Sequence, residues 1–151
     1  MKSLLITCHS QSGSTQRMAD AVERGALRES DVKTVMLPAF DTTVQNLLEH
    51  DAYIFGTPEN FGYMSGALKD LFDRTYYPTE GKLVRRPYAV FIKAGNDGSG
   101  ALRSIERIVT GMQLKKVAEA VICQGDVSDD IIVECEELGQ ALAAGLALGI
   151  F

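Results

Sequence analysis

"KSLLITCHSQSGSTQRMADAVERGAL", residues Lys2–Leu27, joins three kinds of segment in a telling order. Lys2–Cys8 is a short, nearly continuous apolar run, the pattern of a strand covered on both faces. A loop of hydroxyl residues follows: Ser10, Ser12, Ser14 and Thr15, with Gln11 and Gly13 among them. Next comes a helical pattern in which Met18, Ala21, Val22 and Gly25 share a face and the charges lie opposite. Strand, special loop and helix form the first half of a βαβ unit, and the rest of the chain repeats the alternation.

Further strands are read at Val32–Leu37 (closed by Pro38), Ala52–Thr57, Tyr88–Ala94 and Lys116–Cys123. Helices are read in "TTVQNLLEH", "SGALKDLFDRTYY", "GALRSIERIVTGM" and from Ser128 onward. Alternating strands and helices predict an α/β fold, a parallel sheet with right-handed crossovers and helices on each side. The 151 residues suit a single domain, 1–151, and no repeat or linker interrupts them. Hydrophobic residues make up 46% and charged residues 23%, an ordinary globular balance.

In such sheets ligands bind outside the carboxyl ends of the strands. Three loops leave those ends: "HSQSGST", "PENFGYMS" and "GNDGSG". In the first, a helix amino terminus offers unpaired N–H groups and partial positive charge, so it holds an anion without a lysine. Four clustered hydroxyls exceed what one N-cap needs, although capping alone remains an alternative. The patterns GxxxxGK[ST] and GxGxxG are both absent. In the second loop Pro58 is read as the strand stop, and Ser65 as the cap of the next helix. Phe61 either stacks on a planar ring, with Asn60 bonding the ring edge, or folds into the core. The third loop presents backbone groups at close range or is merely a flexible turn. Asp97 or Ser99 caps the helix after it.

The net charge of −5 argues against nucleic acid, which demands a basic face. No secretory leader and no membrane span are read, and no metal site. Three scattered cysteines, Cys8, Cys123 and Cys135, fit a reducing, cytoplasmic setting as small buried hydrophobes. Cys8 is the candidate if any thiol is reactive. His9 is read as solvated and His50 as a helix-end residue. Arg85 and Arg86 are read as solvated, on the edge away from the special loops. The apolar carboxyl end, Leu138–Phe151, reads as a buried helix or a dimer contact.

Together the loops resemble those of a known family. Ser10–Thr15, S-x-S-G-S-T after the first strand, resembles the phosphate loop of the flavodoxin-like superfamily. "GTPENFGYMSGALKDLFDR" is similar to the second flavin loop of its NAD(P)H-dependent FMN reductase and quinone reductase branch. The resemblance spans Lys2 to about Gly125. It implies a three-layer fold with five parallel strands in the order 2-1-3-4-5 and bound FMN. It further implies that Ser10, Gln11, Ser12, Gly13, Ser14 and Thr15 hold the phosphate. Pro58, Glu59, Asn60, Phe61 and Gly62 would flank the isoalloxazine on one side, and Ala94, Gly95, Asn96, Asp97 and Gly98 on the other.

The implied reaction takes a hydride from NADH or NADPH through FMN to a quinone, a flavin or a similar acceptor, with no catalytic side chain required. Glu59 and Asp97 near the ring would lower its potential. A one-electron carrier for redox proteins is the alternative, although such carriers are usually more acidic. A non-enzymatic flavin-binding module is the third class. Active sites of this branch are often completed by a neighbouring subunit, which implies a homodimer or larger homo-oligomer.

Overall fold

A computed structural model describes Met1–Phe151 throughout. Seven strands, five α-helices and one 3-10 turn follow in the order β1 (Lys2–Cys8), α1 (Ser14–Ala26), β2 (Val32–Pro38), the turn Ala39–Asp41, α2 (Val44–Glu49), β3 (Ala52–Asn60), β4 (Tyr63–Met64), α3 (Gly66–Thr79), β5 (Pro87–Ala94), α4 (Ser99–Gly111), β6 (Lys115–Lys116), β7 (Val121–Gln124) and α5 (Asp129–Leu148). The parallel sheet runs β2-β1-β3-β5, with β6 and β7 sharing the outer flank of β5. With the β6/β7 pair taken as the fifth strand, this is the 2-1-3-4-5 order expected.

Side chains alternate across each strand, so the sheet serves two cores. Leu4, Ile6 and Cys8 of β1, Ala52 and Ile54 of β3, and Phe91 of β5 face α1 and α5. Leu5, Tyr53, Phe55, Val90 and Ile92 face the side packed with α3 and α4. Each fully buried Leu or Ile contributes about 2 kcal/mol of transfer free energy. That two-sided burial explains why the strands read as continuous apolar runs.

Three local features depart from the sequence reading. The fifth strand, expected as one run over Lys116–Cys123, is split. Tyr88 pairs with Lys116 and Phe91 with Val121, so three steps on β5 face five on the outer strand. The two surplus residues cannot join the ladder: the Val117 amide still donates to the Tyr88 carbonyl at 3.2 Å, and Ala118–Ala120 leaves it. Pro58 does not stop β3, which continues to Asn60. β1 has already ended at the Cys8–Gly56 pair, so Pro58 sits where one flank of β3 is open and its missing N–H costs nothing there.

Arg86 is not a solvated residue. Its guanidinium donates to the carbonyls of Leu47 (2.8 Å), Leu48 (3.0 Å) and His50 (2.8 Å), and to the Tyr53 hydroxyl (3.0 Å). It thus satisfies the carbonyl end of α2, whose C-cap is His50. The Cys8 thiol is buried, and burial pushes its pKa up to about 12, so it is not a reactive nucleophile.

The small residues of α5 serve a contact inside the chain. α1 and α5 cross so closely that a Cβ on Gly25 would overlap the Glu136 carbonyl, and one on Gly139 would overlap that of Val22. Ala143 is fully buried in the same core, and the Phe151 ring covers Gly145. Arg28 pairs with Glu136 at the edge of the crossing. The apolar pattern read as a buried helix or a dimer contact is therefore accounted for within one chain.

Candidate functional site

The three special loops lie together at the carboxyl edge of the sheet. β1 and β3 end side by side there, with Cys8 opposite Gly56, and the His9 amide donates to the Gly56 carbonyl at 3.3 Å. Pro58 pairs with Lys93 one residue before Ala94, so the second and third loops start from adjacent strands.

In the first loop, Ser10 is half-buried while Gln11, Ser12 and Gly13 are exposed. Gly13 is the N-cap of α1 with φ 92°, a left-handed conformation that favours glycine. A Cβ there would meet nothing within 4 Å, so the space in front of the helix is open. The Ser10 hydroxyl accepts from the amides of Gly13 (3.1 Å) and Gln16 (3.2 Å), which closes the loop over the helix end. The amides of Ser12, Ser14 and Thr15 make no hydrogen bond within the chain. Arg17, the first basic side chain of α1, is exposed and forms no ion pair. The donor set is thus a helix terminus, free amides and neutral hydroxyls. It fits a phosphate monoester held without a cation.

The second loop is a hairpin that sequence reasoning missed. Glu59 and Asn60, at the end of β3, pair antiparallel with Met64 and Tyr63 of β4. Phe61 and Gly62 form its two-residue tip, with φ of 53° and 68°. Both positive values indicate a type I′ geometry, where Asn or Asp normally precedes Gly. A Phe at the first tip position is strained, and its side chain is fully exposed at 108%. Phe61 is therefore not a core residue. The tell-tale sequence signal was the Gly at the second tip position alone.

Buried hydroxyls brace the hairpin. Thr57 Oγ1 accepts from the Ser65 amide (2.9 Å) and donates to the Pro58 carbonyl (2.7 Å). Ser104 Oγ of α4 accepts from the Met64 amide at 3.1 Å. Gly100 lies so close that a Cβ on it would overlap the Gly62 carbonyl. Ser65 caps α3 as read, accepting from the Leu68 amide.

The third loop joins the second through the start of α4. Gly95, Asn96 and Asp97 are exposed, and Gly98 is the N-cap, with φ 74°. Asp97 Oδ1 accepts from the Ser99 amide (3.0 Å) and hydroxyl (2.8 Å), which hold its carboxyl below the usual range. Glu59 Oε2 reaches across to the Ala101 amide at 3.2 Å. Both acidic groups are thus aimed at the first turn of α4, where the helix terminus stabilises them.

Two histidines flank this edge or lie away from it. The His9 ring packs edge-on against Phe40 with centroids 5.8 Å apart. His50 is buried at the end of α2, where its Nδ1 bonds the Asn46 carbonyl at 2.7 Å. Beside the hairpin, between α3 and α4, lies a cavity of about 520 Å³ lined by Tyr63, Lys69, Arg103 and Arg107 among others.

Comparison with known proteins agrees with this architecture. Among solved structures, a flavodoxin from the domain Archaea superposes with a TM-score of 0.82 at 20% identity, covering 95% of this chain and 98% of that one. A flavodoxin, WrbA-like protein from Agrobacterium tumefaciens gives 0.79 at 21% identity, with 99% of both chains covered. These likenesses establish the fold. Among curated proteins, an NAD(P)H dehydrogenase (quinone) of Syntrophus aciditrophicus is 28% identical over 174 residues, covering 95% of this chain and 85% of the relative. Another of the same description, from Acidithiobacillus ferrooxidans, is 31% identical over 121 residues, covering 66% of this chain and 60% of the relative. The sequence model for NADPH-dependent FMN reductases matches residues 1–124. By that match, and with the loops placed as they are, the chain belongs to the NADPH-dependent FMN reductase family.

Proposed function

We propose that this chain binds FMN at the carboxyl edge of its sheet and moves a hydride from NAD(P)H, by way of FMN, to a quinone, flavin or similar small acceptor. The observation that carries the reading is the free donor set at the α1 terminus, set beside two loops that start from adjacent strands. When bound, FMN supplies the redox chemistry. The protein's part is to hold and orient. The amides of Ser12, Ser14 and Thr15, with their hydroxyls, hold the phosphate, while Ser10 keeps the loop closed and Gly13 permits the approach. Gln11 borders the same loop.

Pro58, Glu59, Asn60, Phe61 and Gly62 border one side of the ring site, and Ala94, Gly95, Asn96, Asp97 and Gly98 the other. Phe61 supplies an exposed aromatic face. Glu59 and Asp97 fix the start of α4, so part of their charge is offset by helix amides rather than directed at the ring.

We assign all of 1–151 to one such domain, in a reducing compartment. Three buried, unpaired thiols support that setting. A homodimer is proposed as well, supported by the exposed Phe61 and Tyr63 of the hairpin, and light scattering measures it. No helix is long and apolar enough to cross a membrane. The deciding experiment is anaerobic titration of the FMN-loaded chain with NADPH. Bleaching of the flavin band, then reoxidation by benzoquinone, is expected. An unbleached band, with reduction only by a redox protein, refutes the reductase reading and favours a carrier.

A further inference from the structure

The groove between α3 and α4 carries a chemical order of its own. Its inner end is made by Tyr63 of the hairpin and Gly100 of α4, beside the second and third loops. Arg103 comes next along α4, then Arg107, one helical turn further on. An adjoining cavity of about 300 Å³ extends the groove, and Arg107 lines both. The outer end holds Tyr76 and Tyr77, their rings 5.4 Å apart and edge to face.

The charges facing this groove are unevenly committed. Lys69 is paired with Asp73 at 2.6 Å, and Glu106 reaches Lys116 at 3.5 Å. Asp97 is bound to Ser99. Arg103 and Arg107 are exposed and form no ion pair. Two free guanidiniums on one face are unexpected on a chain whose net charge is −5. Guanidinium forks match phosphate oxygens, and neighbouring aromatic faces suit a purine. From Gly98, the two arginines stand about 7 and about 13 Å along the helix axis.

We propose that this groove is the dinucleotide track, with Arg103 on the pyrophosphate, Arg107 on the adenosine 2′-phosphate and Tyr76–Tyr77 against the adenine. The order of groups along the groove is the order along the nucleotide, with the nicotinamide end at the hairpin. Arg107 is then the residue that selects NADPH over NADH. The inference rests on the proposed reductase reading, because that reading places the nicotinamide at the loops.

The test is calorimetric titration of the FMN-loaded full chain with 2′,5′-ADP and 5′-ADP, neither of which transfers a hydride. The wild type is expected to bind 2′,5′-ADP on the order of ten- to a hundred-fold more tightly, as for one charge-assisted contact. Arg107→Gln should erase that difference, and Arg107→Lys should restore part of it. Arg103→Gln should weaken both nucleotides by the same factor. Lys33→Gln, on exposed β2 surface, controls for net charge and should change neither. Retention of the preference in Arg107→Gln, or equal binding of both nucleotides by the wild type, overturns the proposal. If NADPH still bleaches the flavin in that case, the reductase reading stands while this one falls. If no nucleotide bleaches the flavin but the calorimetry behaves as described, the groove binds a 2′-phosphoadenosine nucleotide, while the reductase reading falls and takes the dinucleotide track with it.

Discussion

Replacing Gly13 by Asp offers the sharpest test of the anion site. A Cβ at Gly13 meets nothing within 4 Å, so a carboxylate there is not blocked by neighbours. It would project into the space in front of α1, which the free amides of Ser12, Ser14 and Thr15 surround. A carboxylate about 6 Å from a phosphate dianion, partly screened by water, repels it by about 2–4 kcal/mol. FMN affinity should fall about 30- to 1000-fold. The substitution also strains a left-handed backbone, which costs about 1 kcal/mol. Gly13→Asn carries no more strain and no charge, since Asn tolerates positive φ at least as well as Asp. The assay is quenching of FMN fluorescence on titration with each variant, at low and high salt. Asn should cost less than about five-fold, and salt should narrow the gap between the two variants. Equal affinities for Asp and Asn would refute the placement of a phosphate at this helix end.

Three other outcomes follow from local geometry. Phe61→Asn, at a tip position with φ 53°, should raise the thermal midpoint by relieving about 0.5–1 kcal/mol of strain, yet weaken FMN binding; an unchanged midpoint would disprove the strain. Gly139→Ala should lower stability by about 1–3 kcal/mol in urea titrations, because its methyl overlaps the Val22 carbonyl, whereas Gly66→Ala, which meets nothing, should not. Stability should decline in alkali. Cys8, Cys135 and Tyr88 are each pushed up to about 12 by burial, so they keep their protons when folded, while the unfolded groups lose theirs from about pH 9–10. Their contribution is complete below that point and is lost as pH rises towards 12. Urea midpoints measured from pH 8 to 11 should fall, and a flat profile would contradict the burial of these groups.

The sheet was legible because burial on both faces writes a strand as an apolar run. Leu4, Leu5 and Ile6 needed no partner to be recognised. The split of the outer strand was not legible, because surplus residues show only against the register of β5. Val117 and Ala118 look as strand-like as Val121 and Ile122. The loops were legible as a set, since Ser10–Thr15 and Pro58–Ser65 carry local turn and capping chemistry. Their bracing was hidden. Ser104 lies forty positions from Met64, and Glu59 forty-two from Ala101, so nothing nearby in sequence announces either bond. Arg86 was misread for the same reason, because its partners at Leu47, Leu48 and His50 belong to another element. The groove arginines were invisible as a pair with the tyrosines until α3 and α4 lay side by side.

The crossing of α1 and α5 has a bearing on ligand geometry at a distance. α1 is a helix of 13 residues, about 18 Å between its ends. Gly25 sits at one end, seated on Glu136, and the amides beyond Gly13 sit at the other. A tilt of about 5° about the seated end would swing those amides by about 1.5 Å, several times the tolerance of a well-made binding constellation. Two missing side chains, at the crossing of α1 with α5 and away from the anion site, thus act as the angular stop of the instrument. They calibrate where the helix points, and so where an anion is received, without coming near it.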